Sequence, residues 1–458
     1  MSSSSRSTGI WSGEYLWVTL GAVAMIFLAA TQALAVTTVM PLVSADLDGE
    51  ALYAVAFSAT VATSVIGMVA AGAWCDRGGV LAPLSTSVML FVLGLVVAGA
   101  AASMEWVVIG RLIQGLGTGG QTVSLYVVVA RAYPAMVHGR VFAAFSAAWV
   151  IPSLVGPLLA GAVAEFFHWR WVFLGVAALT LSAFAVVAAR LRGLPLDAPE
   201  RGATDVGRRL AWATALAVSA VALSLAGEAG PARIPIIAVA VIAIAVTVRP
   251  LLPSGALRAR RGLPSVILMR GVIAGALFGA EIYVPYLLID EYGFSATWAG
   301  LGLTAAALAW AAAAEVQGRV GDRLGNRRIT LIGVAFLASS MAIVGLVAVT
   351  HAHPVILIAG WGLSGAGMGL MYPRLTVLTL AYSTTQNQGF NSAALSISDA
   401  VGAATTIAAM GLVYTGLGGG ILAFAWVFAL GTLVALAALV PGLRLGHGAE
   451  VRASTVPV

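Results

Sequence analysis

The chain of 458 residues has the length of about three soluble domains, but only 9% of its residues are charged, against about 25% in soluble proteins. With 60% hydrophobic residues and a mean hydropathy of +0.99, it has too little polar surface to cover a water-facing globule, so its solvent is lipid. All 24 basic residues are arginine, which excludes an ATPase phosphate-loop lysine and a Schiff-base lysine. The single cysteine, Cys75, excludes an intramolecular disulfide.

Fourteen apolar runs, each close to the ~20 residues that cross a bilayer core, are separated by short turns with Gly, Pro and charge. The first six lie near residues 16–40, 52–74, 84–103, 106–130, 141–166 and 171–189, and the last six near 264–289, 295–316, 329–350, 354–380, 389–414 and 419–441. A shorter middle pair, near 210–227 and 234–251, either spans the membrane or forms a re-entrant hairpin, because Arg233, Arg249 and Pro250 crowd its second run. The pattern predicts an all-α membrane protein.

The arginines are distributed unequally between the two sets of loops. With the N-terminus inside, twenty arginines, Arg270 among them, fall on the cytoplasmic side and only Arg170 and Arg233 on the other, while Arg111 and Arg374 fall within or at the ends of spans. Because positive loops are retained in the cytoplasm, we expect both termini there. The same bias accounts for the net charge of +6 without nucleic acid. The lysine-free, alanine-rich composition is typical of a GC-rich bacterial genome, so we expect the bacterial cytoplasmic (inner) membrane.

The sequence repeats itself at an offset of about 246 positions. At that shift, residues 72–79 fall on 318–325, and residues 146–156 in the fifth helix fall on 392–402. This predicts two six-helix bundles in pseudo-twofold repeat, a transporter architecture that holds substrate between the halves; a duplicated scaffold without transport is the alternative. We expect an N-terminal six-helix bundle at 1–191, a cytoplasmic linker with two additional transmembrane helices at 192–262, a C-terminal six-helix bundle at 263–443 and a cytoplasmic tail at 444–458.

Two copies of one loop motif follow the second helix of each half. The first copy reads Gly-Ala-Trp-Cys-Asp-Arg-Gly-Gly from residue 72, and the second reads Gly-Arg-Val-Gly-Asp-Arg-Leu-Gly-Asn-Arg-Arg from residue 318. The second copy strongly resembles the signature loop of the major facilitator superfamily. The resemblance implies that these loops hold the cytoplasmic side closed in an outward-facing state; topogenic charge alone is the alternative. The implied gating residues are Asp76, Arg77, Asp322 and Arg323.

Two further segments resemble motifs of the same superfamily. Gly-Arg-Leu-Ile-Gln-Gly from residue 110 resembles its Arg-x-x-Gln-Gly motif, in which a guanidinium at Arg111 would favour ionised carboxylates near the cavity, unless it snorkels to the interface. Gly-Pro-Leu-Leu-Ala-Gly from residue 156 resembles the antiporter motif of drug:proton exchangers, in which Gly156, Pro157 and Gly161 kink the helix and let the halves pack tightly. With fourteen spans, the resemblance implies the fourteen-helix drug:proton antiporter branch; an ordinary proline-kinked packing helix is the alternative.

Proton coupling requires a carboxyl group that alternates between protonated and ionised forms. Glu281, four residues before Pro285, lies in an apolar segment that disfavours its ionised form until water reaches it. Asp399 is the second candidate, because its repeat position in the first half is Ser153. Exporters of the resembled branch usually have an aspartate nine residues before the proline of the first helix; Gln32 stands there and cannot titrate, so the proton would be carried mostly by the second half. The alternative for both acids is a structural role or an exposed helix end.

Aromatic side chains interleaved with small residues are expected to line a substrate cavity. With Gln32, the candidates are Trp149, Tyr283, Tyr286, Trp361 and Phe390. We therefore expect export of small hydrophobic or cationic compounds by proton antiport and alternating access, with metabolite uptake or facilitative transport as the alternative. A membrane-embedded enzyme is a remote alternative, since the sequence has no His-Glu-x-x-His motif. The expected partners are a small-molecule substrate, protons and the lipid bilayer; we expect a monomer without nucleic acid, cofactor or metal.

Overall fold

A computed structural model describes residue 11 and residues 15–77, 79–191, 206–383 and 388–445. Gly78 of the first motif loop, the linker segment 192–205 and the tail from residue 446 lie outside the described residues, as do several side chains within helices, that of Asp322 among them. The domain limits expected at 1–191, 192–262, 263–443 and 444–458 therefore stay predictions.

The apolar runs form helices because lipid offers no hydrogen-bond partners, so each segment must satisfy its own backbone groups. The described residues contain sixteen α-helices, α1 to α16 in chain order: Leu16–Asp46, Tyr53–Arg77, Leu81–Gly99, Met104–Ala132, Ala135–Phe166, Arg170–Leu191, Val206–Leu225, Arg233–Thr247, Leu263–Glu281, Tyr283–Asp290, Ala296–Leu324, Asn326–Thr350, Pro354–Ala381, Gln388–Gly416, Gly420–Ala437 and Leu439–Gly442. The pairs α9–α10 and α15–α16 each form one span.

Fourteen spans result, as predicted. Thirteen are long and apolar enough to cross a membrane. The fourteenth is α4, which carries Glu105, Arg111 and Arg131 and is therefore less apolar. Its 29 residues extend about 43 Å at 1.5 Å per residue, which exceeds the hydrocarbon core. The all-α membrane fold is confirmed.

The middle pair has the length and composition of two spans, Val206–Leu225 and Gly230–Leu251. Near the start of α7, the Arg209 guanidinium lies 5.9 Å from the ring centroid of Phe390, at the start of α14. Just after the other end of α7, a Cβ on Gly227 would lie 3.1 Å from the Thr415 hydroxyl, near the end of α14. The helix therefore runs beside the whole length of α14, and it also packs on α2. Helix α8 begins beside the same end of α14, where Arg233 lies next to Gly416, and it packs on α7.

The contacts between helices repeat in the two halves. In the first bundle, α1–α6, helix α4 packs on α2 and α3, and α1 packs on α5; in the second bundle, α9–α16, helix α13 packs on α11 and α12, and α9 packs on α14. Between the bundles, α2 packs on α14 and α5 packs on α11. Exchanging the bundles turns one of these pairs into the other, which is the pseudo-twofold relation that the repeat predicted.

The two ends of the bundles form faces of different charge. We call one the arginine-poor face; its loops are 47–52, 100–103, 167–169, 226–232, 291–295, 351–353 and 417–419. The opposite end is the arginine-rich face. Arg270 was expected among the cytoplasmic arginines, and this was wrong: it lies inside α9 with 7% of its surface exposed. Its guanidinium is tolerated there because an acid from another helix pairs with it, as described below.

Candidate transport pathway

The two bundles contact each other at the arginine-poor face through α5 and α11. The backbone amide of Thr297 donates to a carboxylate oxygen of Glu165 at 3.1 Å, and the Thr304 hydroxyl donates to the carbonyl of Leu154 at 3.1 Å. Both bonds join the second half of α5 to the first half of α11. They bring the bundles together at this face.

Two residues of the segment resembling the antiporter motif lie in this contact. A Cβ on Gly161 would lie 2.5 Å from backbone atoms of Thr297, and a Cβ on Gly300 would lie 2.9 Å from the Cβ of Pro157. Gly156 is different, since only Pro152 of its own helix lies within 4 Å of such a Cβ. The close approach of α5 and α11 thus requires glycine at 161 and 300 but not at 156.

Gly161→Ala is expected to weaken closure at the arginine-poor face, since its added methyl group overlaps the backbone of α11. Overpacking of this kind costs about 1–3 kcal/mol, which corresponds to a fall of at least fivefold in the closed population. The measurement is the transport rate in reconstituted vesicles. Gly175→Ala is the matched control, because a Cβ on Gly175 has no atom within 4 Å. Equal rates in the two variants would contradict the role of this contact.

An aromatic cluster joins the bundles on the α2 and α14 side of the same face. Tyr53 packs on Tyr286 with ring centroids 4.7 Å apart, and Tyr414 packs on Phe424 at 5.0 Å. The Tyr53 hydroxyl also donates to the carbonyl of Ile282, in the opposite bundle. Tyr283 lies between Tyr53 and Tyr414, and the exposed fraction is 1% for Tyr283 and 6% for Tyr286. Both were expected to line a cavity; in this conformation they lie inside a closed cluster.

Glu281 is the last residue of α9, directly before the break at Ile282. The helix breaks there because Pro285 has no amide to donate to the carbonyl of Glu281. The span Leu263–Asp290 has the largest buried share of the candidate spans, 78%. Glu281 itself is half-buried: protein surrounds most of its side chain, and a part of its surface stays exposed. Among the described residues its carboxyl group has no ion pair. Glu281 therefore keeps some exposed surface in a helix that is otherwise enclosed by protein.

Asp399 lies in a polar cluster of the second bundle. Arg270 donates from Nε to a carboxylate oxygen of Asp399 at 3.0 Å, and the Tyr372 hydroxyl donates to the other oxygen at 2.6 Å. Arg270 also donates from a terminal nitrogen to the Tyr372 carbonyl and the Thr376 hydroxyl, each at 3.1 Å. Only 9% of the Arg270 side chain and 20% of the Asp399 side chain is exposed. Asp399 therefore has an ion-pair partner, which distinguishes it from Glu281.

Sequence reasoning missed the partners of Asp399. Arg270 and Asp399 are 129 positions apart, and Tyr372 lies on a third helix. The position of Arg270, inside the apolar run 264–289, was an available signal, because an arginine in a span needs a partner.

Arg111 is buried between α4 and α2, with 5% of its surface exposed. It donates from Nε to the carbonyl of Ala56 at 3.1 Å and from a terminal nitrogen to the side-chain oxygen of Gln114 at 2.8 Å. It does not snorkel to the interface. These oxygen acceptors are neutral, and no carboxylate pairs with it in the described part of the chain. Its influence on proton binding stays a prediction.

The remaining cavity candidates lie in different surroundings. Gln32 is 1% exposed, and its side-chain amide has no hydrogen-bond partner in the described structure. Trp361 is fully buried and packs against Phe428 of α15, so it belongs to the interior of the second bundle. Phe390 lies at the arginine-rich end of α14, whereas Trp149 is 47% exposed on α5. The structure does not bring these four side chains together.

The first motif loop lies at the arginine-rich face. Asp76 and Arg77 are exposed, and the carbonyl of Cys75 accepts a 2.7 Å hydrogen bond from Arg131. In the second copy, Arg323 is exposed, and the side chain of Asp322 is outside the described residues. Closure of the arginine-rich face by these four residues therefore stays a prediction for another conformation.

Two pseudo-symmetric bundles that meet at one face, with an acid and an ion pair enclosed among membrane helices, define a membrane transporter. The family model described as Major Facilitator Superfamily matches residues 22–314 and 266–454. The chain belongs to this superfamily, which bears out the resemblance of its loop motif.

Relatives and solved structures agree with this assignment. A probable multidrug-efflux transporter of Mycobacterium tuberculosis is 26% identical over 98% of each chain. An uncharacterized transporter of Schizosaccharomyces pombe is 33% identical over 33% of this chain; this chain spans only about a quarter of that relative, 26%. A peptide transporter (POT) in complex with alafosfalin matches with a TM-score of 0.68 at 16% identity, covering 92% of this chain and 93% of the other. The last match shows the fold alone. The relatives are transporters and not enzymes, as predicted.

Proposed function

We propose that this chain exports small hydrophobic or cationic compounds by proton antiport. The observation that supports it best is Glu281: an acid with no ion pair in the described residues, half-buried at a helix break beside the contact between the bundles. Such a carboxyl is neutral when water is excluded and ionises when it is hydrated. Alternating access changes its hydration and so couples proton binding to transport.

The arginine-rich face is the cytoplasmic one in this proposal, because positive loops are retained there. Contacts between the bundles at the arginine-poor face then correspond to a state closed to the outside. The bacterial inner membrane follows from the composition and is compatible with the mycobacterial relative. We also propose that the chain acts as a monomer, with the extra helix α7 packed on its own bundles and α8 packed on α7.

The substrate class follows from the charges in the spans. Arg270 and Asp399 neutralise each other, whereas Glu281 offers an uncompensated negative charge when ionised. A lipophilic cation that displaces the proton restores neutrality, which is the exchange that antiport requires. The name of the mycobacterial relative, a probable multidrug-efflux transporter, points the same way.

The proposal is tested with purified protein in lipid vesicles and a fluorescent lipophilic cation such as ethidium. An acidic interior should drive the dye inward through protein of either orientation, since protons leave as it enters. A protonophore should abolish accumulation. Accumulation driven by an alkaline interior would identify proton symport and hence uptake. A rate of dye entry that does not depend on the pH step would identify facilitated transport. Either result overturns antiport.

A further inference from the structure

One residue of the first bundle contacts the segment that follows Glu281. Tyr53, the first residue of α2, is 1% exposed, and its hydroxyl donates to the carbonyl of Ile282. Ile282 joins α9 to α10 and is the next residue after Glu281. The two bonded residues are 229 positions apart and belong to different bundles. This hydrogen bond therefore exists only while the arginine-poor face is closed.

The surroundings of Tyr53 fix this contact. Its ring packs on Tyr286 at 4.7 Å and on Tyr283 at 5.9 Å, so it contacts the first turn of α10. The neighbouring Ala54 lies in close contact with α14, since a Cβ on Gly411 would be 2.5 Å from the Cβ of Ala54. The start of α2 is thereby held against both α10 and α14.

We propose that Tyr53 is a positioning residue for Glu281: by holding the α9–α10 junction, its hydroxyl keeps the Glu281 carboxyl away from water on the arginine-poor side. When the bundles separate at this face, Tyr53 leaves the Ile282 carbonyl and the junction is released. The segment that contains Glu281 then becomes accessible from that side. The hydroxyl thus links the opening of the face to the exposure of the acid, and the inference rests on the proposed proton-carrying function of Glu281.

Other titratable groups near the junction are few. The hydroxyls of Tyr283, Tyr286 and Tyr414 belong to the same aromatic cluster, and Glu50 and Asp290 lie close enough to Tyr286 to act on it. Arg270 and Asp399, on α9 and α14, are paired with each other. The other helices packed on α9 carry Arg258 on the 3-10 helix Ala256–Arg258, Arg327 and Arg328 at the arginine-rich start of α12, and Tyr372 and Arg374 on α13. Helices α15 and α16 contain no titratable side chain.

The test measures distances between spin labels on the two bundles at the arginine-poor face. Glu50→Cys and Leu417→Cys provide exposed sites in a Cys75→Ala background, in lipid vesicles. Tyr53→Phe should raise the ratio of open to closed populations roughly fivefold, the size expected for one lost hydrogen bond. It should also shift the pH profile of dye export. Tyr292→Phe is the matched control, because its hydroxyl lies within hydrogen-bond distance of two carbonyls of its own bundle, those of Val347 and Ala352.

The outcomes separate this inference from the proposed function. Unchanged distances in Tyr53→Phe overturn it. Longer distances with a wild-type pH profile also overturn it, because the hydroxyl then closes the face without positioning Glu281. If Glu281→Gln itself retains the wild-type pH profile, the proposed proton-carrying function fails, whatever the distances in Tyr53→Phe show.

Discussion

Glu281→Gln is expected to abolish proton-driven export while leaving substrate exchange intact. The amide has nearly the shape of the acid but cannot release a proton, so a pH step can no longer drive transport. Each unit of the pH step supplies about 1.4 kcal/mol per coupled proton, which is a factor of ten, so losing the one coupled proton should lower dye accumulation about tenfold per pH unit. The measurement is dye accumulation in vesicles with an acidic interior, beside dye exchange at equal pH on both sides.

The control for this variant is Glu315→Gln. Glu315 is on α11, its side chain is 67% exposed, and in the described part of the chain its ion-pair partner is Arg319, one turn away. The same chemical change at this position should leave export unchanged, since exposed ion pairs contribute little. Gradient-driven accumulation by Glu281→Gln at the wild-type level would remove Glu281 from the mechanism. Loss of both accumulation and exchange would instead indicate a damaged fold.

Asp399→Asn is expected to destabilise the protein strongly. It leaves the Arg270 guanidinium buried without its counter-charge, and removing one partner of a buried ion pair costs about 3–5 kcal/mol. The midpoint of thermal unfolding in detergent should fall clearly. Asp46→Asn is the matched control, since the Arg170–Asp46 pair is 3.7 Å apart with side chains 33% and 47% exposed, and its loss should cost under about 1 kcal/mol.

The double variant Arg270→Gln/Asp399→Asn separates charge from packing. With both charges removed, no ion is left unpaired, and most of the lost stability should return.

The same variant tests whether Asp399 carries the proton. Retained gradient-driven export would leave Glu281 as the proton carrier, and abolished coupling with normal dye exchange would transfer that function to Asp399. Equal unfolding midpoints for Asp399→Asn and Asp46→Asn would contradict the buried ion pair.

Several features that the sequence predicted depend on local patterns. Whether a run of apolar residues is long enough to cross the membrane does not depend on the rest of the chain, and thirteen of the described helices meet this criterion. The repeat of residues 72–79 at 318–325 likewise predicted two related bundles, which the helix contacts bear out. The loop motif at 318 indicated the superfamily.

The aromatic residues show that such local patterns do not predict which helices a side chain contacts. Trp361 and Tyr283 both lie in apolar segments with small neighbours, and both were expected at a cavity wall. One lies inside the second bundle against Phe428, and the other lies in a cluster at the contact between bundles. Periodicity gives the face of a helix, but it does not say which helix that face meets.

The sequence by itself determined the solvent, the spans, their duplication and the acidic candidates for proton coupling. Each of these can be recognised from a local pattern of residues, and the duplication from two copies of such a pattern. Only the tertiary structure decided that Asp399 is paired with Arg270, that Glu281 has no ion pair among the described residues, and that Tyr53 reaches Ile282. These contacts join residues more than a hundred positions apart. The packing of whole helices sets them, and side chains enclosed by lipid and protein must find their partners there.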